Sequence, residues 1–207
     1  HDALPIYGEM NCRHQGKVYA SQPFLQVAVL SEREECLLKT QLVGVYNFPN
    51  VMAAFAIGRH FAIPVDTIRK AIEEYTPSNS RSQLIKEGTT SVILDAYNAN
   101  PSSMKAAIQN FEAADYPNKV IMLGAMKELG HESQQEHQAL IQLLEQSNWK
   151  YVVLVGTEFN QVEHGYLQFD GVDEARQWYQ ALAKDNTAFL IKGSRAYTME
   201  KIIQSGH

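Results

Sequence analysis

Apolar and polar positions change their rhythm twice along this chain. Residues 1–45 hold short apolar stretches (Lys17-Val18-Tyr19, Phe24 to Leu30, Leu37 to Val43) without helical periodicity, a pattern that predicts strands and loops. From Asn50 the spacing becomes helical: Val51, Ala54, Phe55 and Gly58 share one face. Beyond Pro64, Ile68, Ala71, Ile72 and Tyr75 share another, with Asp66 placed to cap that second helix. The turn-rich run Thr76-Pro77-Ser78-Asn79-Ser80 reads as a linker. After it, apolar runs at 90–94, 120–123, 151–155 and 188–191 alternate with helical faces. These are Met104, Ala107, Ile108, Phe111; then Leu140, Leu143, Leu144; then Val172, Ala175, Tyr179, Leu182. Ser133 and Glu136 carry the spacing of a capping box before the second of them. Such alternation predicts an α/β fold: βαβ units building a mainly parallel sheet with flanking helices, wound right-handed.

In such sheets ligands bind beyond the carboxyl ends of the strands. Residues 92–104, VILDAYNANPSSM, put polar groups there: an apolar run ends in Asp95, a polar loop follows, and a helix opens at Pro101. Three of the four apolar runs are followed by a glycine, Gly124, Gly156 or Gly193, which suits close approach of backbone or a tight turn.

Composition narrows the field. At 207 residues and 45% apolar the chain can bury a core and form one or two domains. A net charge of -5 argues against nucleic acid. No apolar run is long enough to span a bilayer, and the N-terminus has no secretory-signal pattern. Two cysteines, Cys12 and Cys36, make neither a disulfide framework nor a zinc site, so the expected setting is reducing and cytoplasmic. The chain opens at His1 in mid-pattern and reads as a piece of something longer.

Five segments, in this order, resemble the Mur ligases of peptidoglycan synthesis: YNFPNVMAAF (46–55), SRSQ (80–83), LDAYNANPSSM (94–104), LGAMKELG (123–130) and IKGSRAYTMEK (191–201). The third and last are most similar to members that add D-alanyl-D-alanine to UDP-N-acetylmuramoyl-tripeptide. Other Mur ligases or a folylpolyglutamate-type ligase are the neighbouring alternatives, and a non-catalytic nucleotide- or muropeptide-binding domain is the alternative outside enzymes. The resemblance implies that residues 1–78 are the C-terminal portion of a central ATP-binding domain and 79–207 a C-terminal Rossmann-like domain. It implies ATP and Mg²⁺ as cofactors and an acyl-phosphate intermediate attacked by the amine. No G-x-x-x-x-G-K-[ST] phosphate loop occurs in the chain, so the fragment alone is expected to be inactive, with Mg²⁺ bound mainly by a missing upstream part.

The same resemblance implies roles for particular residues. Asn47 and Asn50 match adenine-contacting asparagines, which their amides suit, although spacing alone reads as a turn residue and a helix cap. Arg81 matches a phosphate-reaching arginine after the linker, against a solvated surface cation. Asp95 matches a carboxylate near the nucleotide, with acceptors for ribose hydroxyls, against a loop acceptor. Tyr97 and Asn98 are the candidates facing substrate, whereas Asn100 before Pro101 reads as an ordinary N-cap. Lys192, Ser194 and Arg195 could hold a substrate carboxylate, or Lys192 and Arg195 could merely precede the last helix on the surface. Glu128, His131, Glu132 and His137 lack metal-site spacing, and no metal is expected there. Tyr46 and Ala125 depart from the family's usual histidine and aspartate.

Overall fold

The computed structural model describes residues 7–8, 13–31, 34–78 and 80–204. The chain divides into two compact units, His1–Pro77 and Ser78–His207.

In the first unit, strands β1 (Tyr7–Gly8), β2 (His14–Ala20), β3 (Gln26–Ser31) and β4 (Glu34–Lys39) form a sheet in that order. β1 runs parallel to β2, and the remaining pairs are antiparallel. Helices α1 (Phe48–His60) and α2 (Val65–Glu74) follow. Leu25, Val27, Val29 and Leu38 from the sheet region pack with Val51, Met52, Phe55 and Ile68 into one core. Ala54, expected on the inner face of α1, is exposed, and Met52 and Ala56 are buried instead. Asp66 does not cap α2. Pro64 holds the cap position, and the Asp66 carboxylate pairs with Arg69 at 2.7 Å, one turn along. Cys36 is a buried free thiol, while Cys12 lies outside the described residues.

The second unit is a six-stranded sheet flanked by helices. Its strands are β5 (Gln83–Glu87), β6 (Thr90–Asp95), β7 (Asn118–Gly124), β8 (Tyr151–Val155), β9 (Leu167–Phe169) and β10 (Thr187–Lys192), in spatial order β5-β6-β10-β7-β8-β9. All pairs are parallel except the β5–β6 hairpin. The α/β fold with a mainly parallel sheet is therefore as the alternation requires. The short edge strands β5 and β9 have no separate apolar run in the sequence, because an edge position buries too little to demand one.

Side chains alternate across the sheet, so each strand feeds two cores. Val92, Leu94, Val120, Met122, Val153, Val155, Phe189 and Ile191 share a cluster with Ala175 and Tyr179 of α5 (Val172–Ala181) and with Met199 and Ile202 of the C-terminal turns. The alternate positions Ile93, Ile121, Leu123, Leu154 and Leu190 are equally buried. They point to the opposite face. Helices α3 (Pro101–Ala113) and α4 (Ser133–Leu144) bring the matching apolar stripes Met104, Ala107, Ile108, Phe111 and Leu140, Ile141, Leu144.

This arrangement creates a topological switch. The chain leaves β6 and β7 toward α3 and α4, but leaves β10, which lies between them, toward turns packed beside α5. Neighbouring strands whose exits part to opposite faces leave a crevice at their carboxyl ends. Two glycines let the strand ends come together there. A Cβ on Gly193 would lie 2.9 Å from the Gly124 Cα and 2.6 Å from the Met199 side chain, and one on Gly124 would meet the flexible Met199 at 2.9 Å.

Because backbone yields less readily than a methionine tip, Gly193→Ala should lower stability by about 1–3 kcal/mol, and Gly124→Ala by less. Thermal unfolding of the two variants measures this; equal melting temperatures would show that the close approach is not needed.

Candidate functional site in the strand-end crevice

Parallel pairing places Lys192, the last residue of β10, beside Asp95, the last residue of β6. By alternation both side chains emerge on the α3 and α4 face of the sheet. Their side chains are 3% and 14% exposed, and the ammonium donates to Asp95 Oδ2 at 2.6 Å. It donates again to the Asn98 carbonyl at 3.1 Å. Asp95 Oδ1 accepts from the Ser82 backbone N–H at 3.0 Å. One carboxylate thus ties the end of β6 to the end of β10 and to the segment preceding β5.

The surface reading of Lys192 is therefore corrected. The cation is buried and paired, and a lysine so placed is tolerated only because charge and hydrogen bonds compensate its lost hydration. Arg195 follows that reading more closely: it is largely exposed and pairs with Glu200 at 2.8 Å. Ser194 is buried, and its Oγ has no hydrogen-bond partner. A buried orphan hydroxyl at the mouth of a crevice is a polar atom available to a ligand.

Arg81 reaches the same end of the sheet. Its guanidinium carbon sits 3.5 Å from the centroid of the Tyr97 ring, a cation–π contact that holds the planar cation in place. Ser80 and Ser82 on either side of it have φ of 58° and 48°, so the backbone around Arg81 is kinked into the left-handed region twice. Asn98 Oδ1 accepts from the Ala99 N–H at 2.9 Å. Asn100 is the N-cap of α3, with its side chain on the Ser103 N–H at 2.8 Å and Ser103 Oγ returning to the Asn100 N–H, a full capping box.

The two asparagines of the first unit also bond to each other. Asn47 is buried, and its amide donates to the Val43 carbonyl at 2.8 Å, while its Oδ1 accepts from Asn50 Nδ2 at 3.1 Å. Asn50 lies exposed in the first turn of α1. Its carbonyl oxygen and second amide proton remain for a partner.

A further cluster escaped sequence reasoning. Lys127 after β7, Glu158 after β8 and Tyr197 after β10 converge: Lys127 forms an ion pair with Glu158, and the Tyr197 hydroxyl donates to the same carboxylate. Gly156, at φ 130°, leaves room for the ring, since a Cβ there would sit 2.6 Å from the Tyr197 hydroxyl. Burial works to raise the Glu158 carboxyl, but hydrogen bonds from Lys127 and Tyr197 outweigh it and hold the group below its ordinary value. Burial and then Glu158 push the Tyr197 phenol up, and the Glu158 hydrogen bond raises Lys127. Sequence spacing could not join residues 31 and 39 positions apart. The capping box expected at Ser133 and Glu136 is absent: Glu132 holds the N-cap position, and the Oγ and carbonyl of Ser133 lie 3.3 and 2.7 Å from Nδ1 of the buried His137, whose Nε2 meets the loop after β7. Among the described residues, no group of three or more His, Cys, Asp or Glu side chains is placed to hold a metal ion, and no helix is long and apolar enough to cross a membrane.

A mainly parallel sheet with charged and polar groups at a switch-point crevice defines a Rossmann-like domain. The profile described as "Mur ligase, glutamate ligase domain" matches residues 80–195, and the chain belongs to the Mur ligase family. It is 32% identical over 175 residues to the UDP-N-acetylmuramoyl-tripeptide--D-alanyl-D-alanine ligase of Bacillus subtilis (strain 168), covering 79% of this chain and 38% of that one. It is 28% identical over 174 residues to the enzyme of that name from Treponema pallidum (strain Nichols), covering 80% and 38%. The crystal structure of MurF ligase from Thermotoga maritima in complex with ADP shares the fold, with a TM-score of 0.77 at 20% identity over 95% of this chain and 46% of that chain. The chain spans less than half the length of these relatives.

Two predictions follow from the crevice. Asp95→Asn leaves a buried ammonium without its countercharge and should cost about 3–5 kcal/mol, whereas Lys192→Met leaves Asp95 its Ser82 N–H and costs less. Chemical denaturation of both single variants and the double variant should give a double-mutant loss smaller than the sum; strict additivity would mean that the pair is not formed. The second concerns acid. Because Glu158 is held below its ordinary value of 4.5, its contribution is present above that value and lost as pH falls through the lower folded value. Glu158→Gln should therefore flatten the acid limb of melting temperature against pH, and an unchanged limb would remove Glu158 from the account.

Proposed function

We propose that this chain is the C-terminal part of an ATP-dependent ligase that adds D-alanyl-D-alanine to UDP-N-acetylmuramoyl-tripeptide, in peptidoglycan precursor synthesis in the cytoplasm. On this reading residues 1–78 complete a central ATP-binding domain and 79–207 form the C-terminal domain. The observation that carries it is the strand-end crevice, with Asp95, Lys192, Arg81 and the orphan Ser194 hydroxyl on it, in a chain of this family. The wording NANP (98–101) and KGSR (192–195), together with relatives named for this reaction, supports the D-alanyl-D-alanine substrate over other members' amino acids.

Each unit by itself offers groups that suit part of a nucleotide. Asn50 offers an amide carbonyl and an N–H, a pattern complementary to an adenine edge, with Asn47 orienting it. Arg81 supplies a permanent cation for phosphate oxygens. Asp95 supplies acceptors for ribose hydroxyls, at the expense of its bonds to Ser82 or Lys192. ATP, when bound, supplies the phosphoryl group that activates the peptide carboxylate, and Mg²⁺ neutralises its phosphates, held mainly by upstream residues. Tyr97, Asn98, Ser194 and Arg195 would face the incoming dipeptide, with Lys192 acting from beneath. Without a phosphate-binding loop of its own, the chain alone should not turn over ATP.

The test joins this chain to the N-terminal remainder of the Bacillus subtilis relative, the part this chain does not match, and follows ADP release. Release should require both UDP-N-acetylmuramoyl-tripeptide and D-alanyl-D-alanine, and Arg81→Ala should reduce it at least about tenfold, the loss of one charge-assisted contact. Release indifferent to the dipeptide would overturn the substrate assignment.

A further inference from the structure

His137 has a role that the proposed ligase reaction does not assign. The residue is fully buried on α4. Its Nε2 lies 3.1 Å from the Met126 backbone nitrogen, and its Nδ1 lies 2.7 Å from the Ser133 carbonyl. An amide N–H can only donate and a carbonyl can only accept, so these partners assign the donor to Nδ1 and the acceptor to Nε2. The ring also meets Phe159 edge-on, with centroids 4.9 Å apart.

Both contacts are one residue away from the polar cluster. Met126 precedes Lys127, and Phe159 follows Glu158, the two halves of the ion pair. Ala125, on the other side of Met126, donates its N–H to the Val155 carbonyl at 2.8 Å, so the loop after β7 has two successive backbone anchors. The first belongs to the sheet, and the second is the imidazole. Tyr197 closes the third side through its hydrogen bond to Glu158.

We infer that His137 is a positioning residue: one buried imidazole, accepting from Met126 and packing on Phe159, sets Lys127, Glu158 and Tyr197 as a single wall of the strand-end crevice. The positioning stands on geometry alone. That the wall faces the amine substrate rests on the ligase reading above. A histidine that merely filled the core would need neither nitrogen, and this separates the two possibilities.

Three variants of the 207-residue chain make the distinction. His137→Gln can place an acceptor near the Nε2 position, His137→Asn is too short to reach Met126, and His137→Phe keeps ring volume without an acceptor. Amide hydrogen exchange at Met126 and the ionisation of ¹³C-labelled Tyr197 are the readouts. In His137→Asn and His137→Phe, exchange at Met126 should rise at least about tenfold, the consequence of orphaning one buried amide, while Ile121 and Leu190 in the central strands are unchanged. The raised Tyr197 phenol should move back toward its ordinary value in both and stay raised in His137→Gln.

Unchanged exchange and Tyr197 ionisation in His137→Phe would overturn the inference. Should His137→Phe not fold, identical behaviour of the Gln and Asn variants would overturn it equally. In the joined enzyme, His137→Asn should raise the KM for the dipeptide about tenfold with kcat little changed, and His137→Gln should restore it. If the exchange and Tyr197 readouts respond but KM does not, the positioning stands and the assignment of the wall to the amine substrate falls.

Discussion

A carboxylate and an ammonium at the ends of two adjacent parallel strands organise the second unit of this protein. Asp95 and Lys192 are 97 residues apart in sequence, yet the register of β6 against β10 sets them side by side. Removing either partner leaves the other charge without its counterion, so each makes the other tolerable. The pair then fixes its surroundings. The Asn98 carbonyl is drawn onto the ammonium, which shapes the loop before α3, and the Ser82 N–H is drawn onto the carboxylate, which sets the chain where it enters β5.

That constraint bears on chemistry. On the proposed reading, the intact ligase brings a nucleotide, an activated acyl group and an amine together, and such catalysis rests on position and charge more than on reactive side chains. The crevice presents charged and polar groups at the strand ends. It holds groups whose positions are themselves held: Arg81 on Tyr97, Lys192 on Asp95, Lys127 on Glu158. Asp95 has both oxygens engaged, one by the Ser82 N–H and one by Lys192. On the proposed reading, a ribose hydroxyl that bonds to it would share with, or displace, one of them, which would link nucleotide arrival to the local structure of these loops.

The helices show where local rules prevailed and where they failed. At α3, Asn100 and Pro101 follow helix grammar, and the capping box forms as residue types demand. At α4 the same kind of signature did not hold. The chain enters through a 3₁₀ turn that puts Glu132 at the cap position and Ser133 inside the helix, where its Oγ meets His137 Nδ1. At α2, Asp66 prefers the Arg69 guanidinium to the helix end. Caps are decided by small energies, so a competing partner within reach readily redirects them.

The amino-acid order alone determined the alternation of strand and helix, the apolar stripes of α3 and α4, and the polar loops at strand ends, because each depends on neighbours within a few residues. It also carried the family, since YNFP, NANP and KGSR are local strings. Tertiary structure decided the rest. That Lys192 is buried rather than exposed, that Ser194 is left without a partner, and that Lys127, Glu158 and Tyr197 meet all depend on strand order, with β10 inserted between β6 and β7. Strand order is a long-range choice made by packing two helices on one face of a sheet and one on the other, and no local pattern encodes which side chains then share a crevice.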